Sequence, residues 1–157
     1  MWFFMYSCYF LSLTSFLMLG IVLCQSFKPF SIWHASPMSF LILTSIIYLF
    51  TETLVIFFFV GTGSSVKEFM QEKKITGDFH KRMITLKRKV YPPQLLNMLI
   101  LIVAFILYGA ADTGKMPFWI YRILLAAGLM HFIYAKIIQH KAFKENTFII
   151  LEMAGVK

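Results

Sequence analysis

Acidic residues are scarce in this sequence: seven Asp and Glu stand against fifteen Lys and Arg, leaving a formal charge of +8. Charge of either sign is thin, since only 14% of the 157 residues carry one, where soluble domains run near about 25%. With 59% hydrophobic residues and a mean hydropathy of +0.75, a water-soluble fold would expose too much hydrocarbon. Intrinsic disorder is excluded on the same ground, because disordered chains are poor in apolar residues. Cysteine is limited to Cys8 and Cys24. On one helix they would lie about 24 Å apart, out of reach of a disulfide, and both read as small buried hydrophobes. No CxxCH, HExxH, GxxxxGK[ST] or GxSxG pattern occurs. Gly61-Thr62-Gly63-Ser64-Ser65 is too incomplete for a phosphate loop and reads as a hinge at a helix end.

What the chain has instead is long apolar runs. Four of them, at about 2–23, 38–60, 95–111 and 118–138, are candidate membrane spans, since a helix crosses a hydrocarbon core of about 30 Å with ~20 residues. The fold expected is all-α: a single integral-membrane four-helix bundle over residues 1–157. The first run lacks a basic flank and exceeds the ~7–15 apolar residues of a signal peptide, so it reads as an uncleaved span. Ser36-Pro37 reads as an N-cap followed by proline at the first helical position. The tight connection Asp112–Pro117 makes spans three and four antiparallel neighbours. Trp33, His34, Phe118, Trp119 and Tyr121 have the amphipathic rings of headgroup-level residues.

Eight of the fifteen basic residues lie between Lys67 and Lys89. Aromatic residues stay inside the apolar runs, so this is not a nucleic-acid surface. It is the positive-inside signature of a short connection. The segment 64–92 is therefore expected on the cytoplasmic side with the tail 139–157 and its Lys141, Lys144 and Lys157. Both termini then face the cytoplasm, in a bacterial inner membrane or its equivalent. Phe79, Met83, Leu86 and Val90 recur at near-helical spacing among the charges. They predict a short amphipathic helix lying on the membrane surface between spans two and three. Tyr91-Pro92-Pro93 ends it, and Pro93 opens the next span. Lys81, Arg82, Lys87, Arg88 and Lys89 would meet anionic lipid headgroups.

Polar residues inside the spans are few. Thr44, Ser45, Tyr48, Thr51 and Glu52 form a stripe on span two, with Leu49, Val55 and Phe57 placed opposite. An ionised carboxylate in hydrocarbon is costly, so Glu52 must be protonated, paired or beside water. His131 lies at comparable depth on span four, where a neutral imidazole could bond Glu52, bind haem iron or be satisfied within the bundle; a Glu52–His131 contact is the sharpest geometric expectation. Lys136 is expected to snorkel to the nearby surface, and Asp112 to pair with Lys115 or Arg122.

Three functional readings follow. The first is a non-catalytic subunit or scaffold of a larger membrane complex, with protein partner subunits or a second copy packed on its Phe-rich helices. The second is a redox protein handling haem b or quinone around His131, Glu52 and Tyr48. There His131 would be the haem ligand, although His34, His80 and His140 lie at loops or span ends and none matches its depth. The third is a small proton-coupled transporter or channel using Glu52.

Overall fold

Each apolar run becomes a helix, and three of the four outgrow it. The computed structural model describes residues 2–32 and 34–155. Among these residues the chain forms α1 (Trp2–Phe27), α2 (Pro37–Glu72), α3 (Phe79–Asp112) and α4 (Phe118–Met153), with no strand. All four are long and apolar enough to cross a membrane. Trp33 and Lys157 lie outside the described residues.

The helices form a ring in which each packs on its sequence neighbours and α4 returns to α1, with α3–α4 the broadest seam and α1–α4 the thinnest. The spacing of buried residues explains the packing. On α4 the inward side chains are Tyr121, Leu125, Gly128, Phe132, Ala135 and Gln139, and the seam continues to Ile149. On α3 it runs from Met83 and Leu86 to Tyr108 and Ala111. Steps of three and four alternate, which is the knob spacing of left-handed helix pairs in membranes.

α1 has 26 residues, whereas α2, α3 and α4 have 36, 34 and 36. A core of about 30 Å needs only ~20 of them. The surplus of the three longer helices falls at the end where the charges lie, here called the basic end. Two apolar clusters result. One, around Tyr48, Leu101, Tyr121 and Phe132, fills the half of the bundle away from the basic end. The other, around Phe59, Met83, Leu86, Phe143 and Ile149, extends out of the membrane run into the charged layer.

The basic segment is helical over Phe79–Val90, but it is not a separate surface helix. It is the first third of α3, which passes through Pro92 and Pro93 without interruption. Proline at these positions removes two backbone donors. The carbonyls they release are those of Arg88 and Lys89, both exposed, where water satisfies them. The buried seam Met83, Leu86, Val90, Gln94, Asn97 stays in phase through the prolines, so packing holds the helix together. In the same way α2 does not end at Gly61 and Gly63. Gly63 is buried in the helix, with the end of the Lys87 side chain lying against it. Residues 139–153 of the tail, including the apolar patch Phe148–Leu151, are a helical extension of α4.

The ends are chemically defined. Ser36 Oγ accepts from the Ser39 amide at 3.2 Å, with Pro37 in the first turn as expected. α3 closes on Gly114 at φ 70°, where Lys115 N–H reaches the Ala110 carbonyl at 3.0 Å. This is a Schellman end. α2 closes the same way, Ile75 N–H to Met70 carbonyl at 3.0 Å, but the left-handed position is Lys74 at φ 51°. Tyr121 is fully buried and packs edge-on to Tyr108 at 5.2 Å, so of the expected belt residues Trp119 stays outward and Tyr121 joins the core. Cys8 is buried but Cys24 is exposed.

Candidate functional site

Between the two apolar clusters lies a polar layer built from all four helices. α2 supplies Tyr48, Thr51 and Glu52, α3 supplies Gln94 and Asn97, α4 supplies Lys136 and Gln139, and α1 supplies Ser15. The stripe expected on α2 is real, with Thr44, Tyr48, Thr51 and Glu52 all buried. Val55 belongs to the same face and is fully buried, because it follows Tyr48 by two turns; Phe57 is the outward residue.

Glu52 is paired, but with a different partner from the one expected. Lys136 Nζ donates to Glu52 Oε1 at 2.6 Å and to Gln139 Oε1 at 2.9 Å. The side chains are 18% and 3% exposed, so Lys136 turns inward and does not snorkel out. It also lies over the Phe132 ring at 4.9 Å. His131 does not take this role: its Nδ1 is buried without a hydrogen-bond partner and its ring lies 5.7 Å from Tyr134. The reason is angular. The inward face of α4 runs through Gly128, Phe132, Ala135 and Gln139, which leaves His131 at the edge. Lys136, one position past Ala135, reaches the interior on a long stem.

The layer is knitted by neutral bonds as well. Tyr48 OH donates to Asn97 Oδ1 at 2.8 Å, and Asn97 Nδ2 donates to the Gly128 carbonyl at 2.8 Å. Gln94 Nε2 donates to the Glu52 carbonyl at 2.8 Å. The Ser15 and Thr51 hydroxyls share a bond of 3.0 Å. Sequence reasoning missed Lys136, Gln94 and Gln139. The signal was present: Gln94 and Gln139 fall in the three-four register of the buried seams, and Lys136 was the available cation at matching depth.

Lys136 also lines a groove of about 470 Å³ between α1 and α4. Its walls include Leu13, Phe16, Phe132 and Ile133, and its mouth holds Tyr9, His140 and Lys141. Tyr9 OH and His140 Nδ1 are 2.7 Å apart.

A second, larger groove of about 530 Å³ runs along α2 and α4 at the basic end. Phe57, Gly61, Ser65, Phe69, Ile150 and Met153 are among its walls, and Phe4 of α1 closes one end.

The five basic residues expected at headgroups have different surroundings. Lys81 pairs with Asp78 at 3.3 Å, and Arg82 pairs with Glu152 at 2.7 Å beside the Phe148 ring. Lys87 lies against Gly63, whereas Arg88 and Lys89 are exposed. At the opposite end Asp112 makes no ion pair with Lys115 or Arg122. Arg122 Nε instead donates to the Ser26 carbonyl at 2.9 Å, in the last turn of α1, and its guanidinium lies 4.9 Å from the Phe27 ring centre. A cation at a helix C-terminus is favoured by the helix dipole. Among the described residues no three His, Cys, Asp or Glu side chains converge as a metal ion would require.

No family model, no curated protein and no solved structure matches this chain.

Proposed function

We propose that this small multi-pass membrane protein is a non-catalytic subunit or scaffold of a larger membrane assembly, with its basic end in the cytoplasm. The observation that carries the reading is the apolar groove between α2 and α4. Apolar surface within a span is covered by lipid and asks for nothing more. Here the walls at Ser65, Phe69, Ile150 and Met153 stand among Lys67, Glu68, Glu72 and Glu152, in the charged layer where water is the alternative. Contiguous apolar surface exposed to water marks an interaction site. The groove is elongated and almost wholly apolar, so an apolar helix from a partner fits it.

The orientation rests on the positive-inside bias of the α2–α3 connection. Arg88 and Lys89, closest of the five to the apolar part of α3, are the ones that would touch anionic headgroups; Lys81 and Arg82 stand about 10 Å farther along the helix. Pairing of Glu52 with Lys136 favours a structural use of that carboxylate over proton carriage.

A photo-crosslinking residue placed at Phe69 or Met153, both in the groove wall, in native membranes tests the proposal. A discrete adduct with another polypeptide, absent from a control position such as Ile106 on the lipid-facing side of α3, is the expected result. Crosslinks to lipid alone would overturn it, as would a monodisperse free monomer after gentle extraction.

A further inference from the structure

The α1–α4 groove has a polarity gradient that the partner reading does not use. α1 and α4 run antiparallel, and contacts along the groove set its depth scale. At the mouth Tyr9 meets His140, next to exposed Lys141. Lys136 and Gln139 come next, with Lys136 about 8 Å deeper than Lys141. Leu13 and Ile133 follow, and Phe16 stacks on Phe132 at 6.1 Å at the deep end. Lys89 lines a cleft with Lys141 on the neighbouring seam, so Lys141 sits at the level where the charged layer of the bundle begins. The groove is therefore cationic and hydrogen-bonding at headgroup level and hydrocarbon below it.

We propose that this groove binds one anionic glycerophospholipid of the leaflet at the basic end. Its phosphate lies at Tyr9, His140 and Lys141, and its acyl chain lies against Leu13, Phe16 and Ile133. The charges fit an anion. Glu52 balances Lys136; beside the mouth, Lys141 and Lys89 share the neighbouring cleft with Glu145, two cations against one carboxylate, and Lys141 has no ion pair of its own among the described residues. The donors fit as well. An ammonium carries three N–H groups, and two of those on Lys136 go to Glu52 and Gln139. The third is free at the depth of a lipid's ester carbonyls. The Tyr9–His140 pair offers one more donor toward the phosphate when the tyrosine gives its proton to Nδ1, because Nε2 then carries a hydrogen. The thin α1–α4 seam is where a bound lipid would complete the ring.

Native mass spectrometry of the full chain in detergent tests this. Phosphatidylglycerol and phosphatidylcholine with identical chains are titrated in turn. One phosphatidylglycerol is expected to bind in preference to phosphatidylcholine. Lys141→Gln is expected to weaken that binding roughly fivefold, the typical contribution of one basic residue at a membrane surface. Ile133→Trp, at a lipid-facing position that is 46% exposed, is expected to fill the groove and abolish it. Leu13→Trp from the opposite wall must do the same, so that a folding defect in one variant does not decide the matter. Lys115→Gln, an exposed cation at the opposite end of the bundle, is expected to leave binding unchanged. Equal affinity for the two lipids would overturn the proposal. So would undiminished binding in both tryptophan variants, or a loss caused only by the Lys115 substitution.

Discussion

Lys136 Nζ lies 2.6 Å from Glu52 Oε1, and the bond joins α4 to α2 across the diagonal of the ring, between helices that are not neighbours. It sits between two apolar clusters with Gln94 and Gln139 beside it, so it is the one charged tie through the centre of the bundle. Removing one member leaves the other buried without its counter-charge. Lys136→Met is therefore expected to cost about 3–5 kcal/mol. The double variant Glu52→Leu/Lys136→Met should recover most of that loss, because a well-packed apolar pair can replace a buried ionic one. A double-mutant cycle on unfolding in mixed micelles measures both. Additive losses would show that the two side chains do not act together.

Gly128 permits a close approach of α4 to α3. A Cβ built there would stand 2.6 Å from Leu101 Cδ2 and 3.2 Å from Ile100 Cγ2, while Asn97 bonds the Gly128 carbonyl. Gly128→Ala is expected to destabilise by about 1–3 kcal/mol, the range for overpacking, and Leu101→Ala should partly rescue it. Gly109, with nothing within 4 Å of its Cβ position, is the control. Gly109→Ala should be neutral or stabilise by up to about 1 kcal/mol, since alanine removes the conformational freedom glycine loses on folding. Melting temperatures of the three variants in one detergent decide between these outcomes.

Lys74 occupies a left-handed backbone position, φ 51°, that glycine fills at the end of α3. A side chain costs roughly 1–2 kcal/mol there. Lys74→Gly is expected to stabilise the α2–α3 connection by about 0.5–1 kcal/mol, the remainder going to the added freedom of the unfolded chain. Slower limited proteolysis between residues 72 and 79 would register it; faster cleavage would contradict it.

Orientation is open to direct labelling. In a Cys8→Ser/Cys24→Ser background, Lys115→Cys is expected to react with a membrane-impermeant maleimide in intact cells. Lys74→Cys should react only after permeabilisation. The reverse pattern would place the basic end outside and remove the topological part of the proposed function.

The number of spans, the cap at Ser36-Pro37 and the antiparallel pairing of α3 with α4 were legible from composition and local chemistry, because each depends on a short stretch of chain. The surface helix was misread because Pro92-Pro93 looks like a stop. Locally it is one, and only the buried seam from Met83 to Asn97 shows that packing overrides it. The candidate site was half legible. Glu52 and Tyr48 were identified because polar residues are conspicuous in an apolar run. Their partners were not, because whether Glu52 meets His131 or Lys136 turns on about 100° of helix rotation per residue.

The sequence by itself determined that this chain lives in lipid, how often it crosses, and which end gathers its charge, since transfer free energy sums over residues regardless of their neighbours. Only the tertiary structure decided that Lys136 turns inward to Glu52, that α3 survives its prolines, and that an apolar groove lies between α2 and α4 in the charged layer. Those outcomes depend on which faces of four helices come to meet, and contacts between distant segments are not encoded in any local stretch of the chain.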